Sequence, residues 1–446
     1  MSGNFADRVI RRGEARYEEA RRDAVFRKNI PDRFPEIIVL AETTEDVVAA
    51  VRLARSENLP IGRRSGGHSW TSPHLRDNSL LLDLSRLNGF QIDAPNKIAY
   101  ARPGVKGLKL NQALGKFGLM FPGGHHNTVG LGGFLMCGGF GWNSRQWGNG
   151  CANVLEVEVV TAEGEVIIAN NAHNQDYYWA ARGSGSGFFG VVTNFKLRCY
   201  DRPPLVHSAY SFHLDVLEPL LTWTREVLPR VPRFVEMIAS TSAYDESGNW
   251  APQKITVSAL SFAPTEEESR AALKELFSDC PVLDRAVWSR DCLVTTLDER
   301  YEGGTKADPE GFRFSCDNMY SNAPAEKVVP LMREFFTSLP TPRSHIFWQN
   351  WGPMQPRPDM ALSVDADLYF GAYAIWSDPA QDERMLAWPV EQMHKLASIA
   401  TGEAQMNDEN MIGHKQRYMS EAASARLEIM RAKYDPEGRF LSFLSL

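Results

Sequence analysis

Cysteine is scarce and scattered. The six residues, Cys137, Cys151, Cys199, Cys280, Cys292 and Cys316, form no CxxC pair and no short regular spacing. That excludes a disulfide framework and a zinc knuckle and leaves buried free thiols as the expectation. Long apolar runs are missing too. No stretch approaches the length needed to span a bilayer, and Met1 to Arg12 holds no apolar core of signal-peptide length, so the expectation is a cytoplasmic protein without a membrane partner. A basic excess is absent: the formal charge of −7 argues against nucleic acid or an anionic membrane as the main partner. No GxGxxG turn opens a helix either. Gly183-Ser-Gly-Ser-Gly187 is the near match, and a strand follows it, which disfavours a nicotinamide Rossmann enzyme.

Glycine, by contrast, is concentrated in two places. Pro60-Ile-Gly-Arg-Arg-Ser-Gly-Gly-His-Ser69 is a short apolar strand running into two arginines, a glycine pair and a histidine. Gly66 and Gly67 permit close backbone approach, so successive N–H groups can point into one anion-sized concavity with Arg63 and Arg64 at its edge. A dinucleotide pyrophosphate is the ligand this suggests, although the window taken alone reads equally as a surface turn. The second place is residues 123–150, with ten glycines in 28 against 34 in 446 for the chain. Such a segment reads as a backbone surface laid against something flat or phosphorylated rather than as a packed element.

Arg64-Ser-Gly-Gly-His-Ser69 at a strand end resembles the flavin-attachment loop of the vanillyl-alcohol oxidase/para-cresol methylhydroxylase family of FAD enzymes. Thr128-Val-Gly-Leu-Gly-Gly133 followed by Gly138-Gly-Phe-Gly141 resembles the second FAD-contact region of its berberine-bridge-enzyme-like branch. Asp176 to Phe195 and the Tyr434-Asp-Pro-Glu-Gly-Arg-Phe440 ending are close to further signatures of that family. The resemblance implies FAD held by Arg64, Ser65, Gly66, Gly67, His68 and Ser69 on one loop. On the other it implies His126, Thr128, Val129, Gly130, Gly132, Gly133, Gly138 and Gly139. Asn153, Val192, Gln405 and Asn407 are implied as further contacts. It implies a single covalent link from His68 to the 8α carbon of the flavin. A second link of the branch's kind, through a cysteine two residues before the Thr-Val-Gly core, is excluded because His126 stands there.

The implied fold is α+β: a two-part FAD-binding domain of the PCMH type over 31–205, and an antiparallel-sheet substrate domain backed by helices over 206–400. A C-terminal segment, 401–446, returns to the FAD domain. Local patterns agree. Glu36–Leu40, Leu59–Arg63 and Ser79–Asp83 read as strands, Thr43-Thr-Glu-Asp46 opens a helix, and Lys254–Phe262 and Asp367–Trp376 read as strands among helices such as Glu266–Phe277. From Glu14 to Arg27, charges of both signs alternate as on a solvent-facing helix or a partly ordered arm.

The implied chemistry is hydride transfer from a substrate C–H to flavin N5, with O2 as the electron acceptor. The substrate is a small molecule, on the aromatic content of the substrate-side strands an aromatic or heterocyclic alcohol or amine. Tyr369 and Tyr373, four residues apart, share a strand face and offer phenols to orient or deprotonate it, or serve equally as core aromatics. By alignment with relatives, the strand's carboxylate base is absent. Gln349 and Trp351 form a polar and an aromatic wall, and Asn407 a flavin or substrate contact, while Asp408, Glu409 and Asn410 read as solvated. His125 and His126 cannot close a metal site alone, and no partner spacing is present. A dehydrogenase remains an alternative, since Leu131 in the glycine core is placed to restrict O2. So does a flavin-carrying binding protein without turnover. Monomer and homodimer stay equally open.

Overall fold

The computed structural model describes residues 4–244, 248–352 and 356–443. The N-terminal segment is packed on one face, where a solvent-facing helix or a partly ordered arm was expected. β1 (Val9–Arg11) joins a sheet, and α1 (Tyr17–Asp23) buries Tyr17, Ala20 and Arg21. Its charges are satisfied locally, which lets them go inside. Arg21 is bonded to both oxygens of Glu18 and to the Pro31 carbonyl, and Tyr17 Oη donates to the Pro35 carbonyl at 2.6 Å.

β2 (Ile37–Leu40), β3 (Ile61–Arg64) and β4 (Leu80–Asp83) run parallel in the order β1-β2-β4-β3. Parallel neighbours need a crossover. After β2 it is α2 (Thr44–Ser56), which opens on a capping box in which Thr43 and Asp46 each accept the other's backbone N–H. Val47, Ala50, Val51 and Ala54 face the sheet because they recur at helical spacing, and they pack on Ile37, Val39, Ile61 and Leu82.

β5 (Phe90–Asp93), β6 (Ile98–Ala101), β7 (Val154–Val160), β8 (Val166–Asn170) and β9 (Val191–Arg198) form an antiparallel sheet, ordered β5-β6-β9-β7-β8. Against it lie α3 (Gly107–Gly115) and α4 (Leu131–Met136). The latter corrects the reading of 123–150 as unpacked backbone: Leu131 and Leu135 join the core with Val157 and Phe195, so Gly132 and Gly133 lie within a buried helical turn that other glycines flank.

The third sheet has seven antiparallel strands: β10 (Leu205–His213), β11 (Val235–Tyr244), β12 (Trp250–Ser261), β13 (Trp288–Thr295), β14 (Arg313–Ser321), β15 (His345–Asn350) and β16 (Leu368–Trp376). Their order is β13-β10-β12-β11-β15-β16-β14. Interspersed are α5 (Leu217–Val227), α6 (Glu266–Phe277), α7 (Leu297–Ala307), α8 (Ala325–Thr337) and α9 (Asp382–Lys395), all but α7 contributing to one core on one sheet face. Side chains alternate across a strand, so each strand serves two masters. Met237, Ala239, Trp348 and Phe370 enter that core, while Glu236, Ile238, Gln349 and Tyr369 line a cavity on the opposite face. α10 (Glu421–Tyr434) starts where Ser420 caps it, and the tail beyond returns to β3, with Ile61 N donating to the Arg439 carbonyl and Leu441 N to the Ile61 carbonyl. Among the described residues no helix is long and apolar enough to cross a membrane.

Candidate active site

A cavity of about 630 Å³ lies between the third sheet and the two glycine-rich loops. The loops meet backbone to backbone. A Cβ on Gly66 would stand 2.7 Å from the Gly130 nitrogen, and Ser65 Oγ accepts the Gly133 N–H at 2.9 Å. Gly67 has φ +73°, a conformation that lets the loop turn without a side chain in the way. Among the described residues, the amides of Gly66, Gly67, His68 and Ser69 donate to no acceptor of the chain. A run of free N–H groups lining one concavity is a cradle for an anion.

The arginines do something other than face that anion. Arg63 donates to the carbonyls of Ser186, Phe188, Gly190 and Leu441, and Arg64 to both oxygens of Asp83 and the Asp23 carbonyl. They brace the loop from behind, because planar guanidinium groups with several donors are suited to collecting carbonyls.

His68 stacks on Phe26, with ring centroids 4.1 Å apart. Its Nε2 lies 2.8 Å from Thr128 Oγ1, which lies 3.0 Å from His126 Nδ1, while His126 Nε2 lies 3.1 Å from the Asp308 carbonyl. A carbonyl only accepts, so His126 carries its proton on Nε2 and accepts at Nδ1. Thr128 then donates to His126 and accepts from His68. The proton of His68 is thereby fixed on Nε2, leaving Nδ1 with a free lone pair. Burial, reinforced by the positive charges of Lys106 and Arg64, holds the His68 imidazole well below its ordinary value, so it is neutral.

On the strand side, Tyr369 Oη donates to Asp408 Oδ2 at 2.8 Å and lies 2.8 Å from Tyr373 Oη. Because Tyr369 spends its proton on the carboxylate, Tyr373 donates to Tyr369. Trp70 Nε1 holds the other oxygen, Asp408 Oδ1, at 3.0 Å. Burial, then the Asp408 charge, pushes both phenols well above their ordinary value. This overturns the reading of residues 408–410 as solvated. Glu409 is buried and accepts from Ser69 and Thr71, and Asn410 is buried and donates to the Cys316 carbonyl. The turn that presents them is built by Gln405, whose Oε1 accepts from the backbone of Asn407 and Asp408 and whose Nε2 donates to Asn407 Oδ1. Gln349 faces the cavity with Nε2 unpartnered.

Two carboxylates went unnoticed in the sequence. Asp308, at the C-terminal end of α7, lines the cavity with Oδ1 unpartnered and 3.7 Å from His345 Nε2, and burial pushes its carboxyl up to about 7. Glu236 on β11 is the other. Neither belongs to a motif; for Glu236 the signal was the one charged residue in a strand of apolar and hydroxyl side chains.

Most of the residues expected at a cofactor line this one cavity: Arg64 to Ser69, His126, Val129, Gly130, Gly132, Gly133, Val192, Gln405 and Asn407, with Tyr369, Tyr373 and Gln349. Thr128 stands behind the wall, bonded to His68. Gly138, Gly139 and Asn153 do not line it. A Cβ at Gly139 would sit 2.8 Å from Gly150 Cα. Asn153 is consumed locally, donating to the carbonyls of Trp147 and Asn149 and accepting from Tyr200 Oη at 2.6 Å. Trp351 leaves the wall to stack on Phe140, with centroids 4.0 Å apart. Leu131 points into the core and does not line the cavity.

Comparison with known proteins gives a consistent picture. A family of FAD binding domains matches residues 35–170. The FAD-linked oxidoreductase nodO of Hypoxylon pulicicidum is 30% identical over 429 residues, 95% of this chain and 93% of that protein. The structure of 6-hydroxy-D-nicotine oxidase from Arthrobacter nicotinovorans superposes with a TM-score of 0.82 at 23% identity, over 99% of this chain and 96% of that one. BBE-like 1 of Physcomitrella patens superposes with a TM-score of 0.81 at 20% identity, over 98% of this chain and 96% of that one.

Proposed function

The chain belongs to the FAD-linked oxidoreductases, with the berberine-bridge-like fold, and from that premise we propose an oxidase that carries FAD covalently on His68 and oxidises a small aromatic or heterocyclic alcohol or amine. When bound, FAD supplies a two-electron acceptor that takes hydride from a substrate C–H and gives both electrons to O2, released as H2O2.

The residues fit that group. The free amides from Gly66 to Ser69 suit its pyrophosphate, and the contact of Gly66 with Gly130 brings both loops to one cavity. His68 offers Nδ1 as the nitrogen for attachment, since Nε2 is engaged by Thr128.

The observation that carries the catalytic reading is the line Tyr373, Tyr369, Asp408. Tyr373 keeps an acceptor site for the substrate O–H or N–H. As that proton arrives on Tyr373, its own passes to Tyr369 and the proton of Tyr369 passes to Asp408 Oδ2. Burial keeps both phenols neutral at rest, so the line moves a proton without either ring resting as a phenolate. Asp408 replaces the missing strand carboxylate from another segment.

The test has two parts. Acid precipitation of the purified protein is expected to leave its yellow colour in the pellet. Mixing with aromatic alcohols and amines is expected to bleach the flavin without air and to yield peroxide with air. Bleaching that air does not reverse would instead indicate a dehydrogenase, and no bleaching by any donor a binding protein.

A further inference from the structure

At one end of the sheet face, Glu236 is buried with half of its carboxylate committed. Oε1 accepts the Asn143 N–H at 2.5 Å, while Oε2 accepts no hydrogen bond among the described residues. His125 Nε2 stands 3.9 Å from Oε2 and is itself unpartnered. Arg145 brings positive charge nearby, but its N–H groups go to the carbonyls of Val231, Pro232, Val235 and Trp351. Charge is therefore balanced locally; what the pair lacks is a bridge. A separation of 3.9 Å is too long for a direct hydrogen bond, and it suits one oxygen set off the line between them. Such an oxygen accepts from Nε2–H and donates to Oε2, which is what a hydroxyl does and an ether or a methyl cannot. Trp142 packs on His125, with centroids 4.2 Å apart, and Leu260 lies cross-strand from Glu236, so an apolar side chain flanks each member of the pair, with His207 one strand beyond Leu260.

The sheet register sets how far this pair lies from the proton line. Ile238, Gln349 and Tyr369 are cross-strand partners on β11, β15 and β16. Glu236 is one two-residue step along β11 from that row and two strands across, which places its Cα about 12 Å from that of Tyr369.

We infer that Glu236 and His125 anchor a hydroxyl group carried by the substrate at the end remote from its reacting carbon, which makes the substrate a hydroxylated aromatic or heteroaromatic molecule long enough to reach from the proton line to that pair. The inference rests on reading the cavity as the flavin and substrate site. It is tested by binding without turnover. The oxidised holoenzyme is titrated with 6-methyl-2-naphthol and with 2,6-dimethylnaphthalene, which differ by hydroxyl against methyl, and the flavin absorbance is followed. The naphthol is expected to bind about 10- to 100-fold more tightly, the range for a hydrogen bond to a charged acceptor. Glu236→Gln, with its yellow colour retained, is expected to reduce that ratio at least fivefold. Should that variant lose its flavin, His125→Phe decides by the same ratio. Equal binding of the two probes by the native protein, binding of neither, or a ratio unchanged in the variant overturns the inference. Flavin bleaching and peroxide release are read separately, so such a failure leaves the oxidase proposal standing.

Discussion

The two walls of the cavity are built by opposite strategies. The loop wall uses main chain: glycines bring two segments into contact, free amides face inward, and His68 is locked by a line that ends on a carbonyl. The strand wall uses mainly side chains, contributed by β10, β11, β12, β15 and β16, whose alternate residues serve the core behind, with α7 and a turn after α9 beside them. A main-chain cradle is insensitive to most neighbouring substitutions and specific for a backbone-sized anion. A side-chain wall can be rewritten one residue at a time. The difference suits an enzyme family in which a shared cofactor meets varied substrates.

The comparison is broken most severely at His68. His68→Ala is expected to abolish acid-stable flavin entirely, read as loss of yellow colour from the acid pellet. Next comes the strand wall: Asp408→Asn should lower the rate of anaerobic flavin bleaching by about 100- to 1000-fold while leaving the covalent flavin in place. Tyr369→Phe interrupts the same line one step earlier and should cost about 10- to 100-fold, with the covalent flavin again untouched. Thr128→Ala sharpens the contrast from the loop side. It frees the tautomer of His68 and should slow covalent incorporation of added FAD by about tenfold, measured by denaturing-gel fluorescence, with little effect on bleaching once attached.

The smallest effect is on stability. The carboxyl of Asp308 is raised from 3.8 to about 7 by burial, so the folded state binds its proton more tightly than the unfolded state. Its contribution is fully present below the lower value and is lost as pH rises through about 7. Asp308→Asn should flatten that part of the profile of Tm against pH, and an unchanged slope would show the carboxyl to be solvated.

What was legible in the sequence follows the same division. Gly66, Gly67, His68 and the Thr128–Gly133 core announce themselves because their function depends on consecutive backbone geometry, which leaves a local pattern. Tyr369 and Tyr373 were found because a strand has period two. Asp408 was misjudged because three polar residues after a turn look solvated until Trp70 and Tyr369, from distant segments, are placed against them. Asp308 leaves no trace for the same reason, and Glu236 leaves only the single charge in its strand. Arg63 and Arg64 show the converse error: charges beside a glycine pair invite a ligand, yet their partners are carbonyls and Asp83. Asn153 fits a family position, but Tyr200 and two local carbonyls had already claimed it.

The tail that returns to β3 has a consequence for when the protein can be loaded. Arg63, immediately behind the loop of His68, takes one of its four carbonyl partners from Leu441, and Ile61 is paired on both its N–H and its C=O by residues 439 and 441. The brace of an element made in the first seventh of the chain is thus completed only once translation has passed residue 441. Coenzyme capture is therefore expected to wait until residues 439–441 have been made and packed, and a nick or tag that unseats them should be visible first as colourless protein.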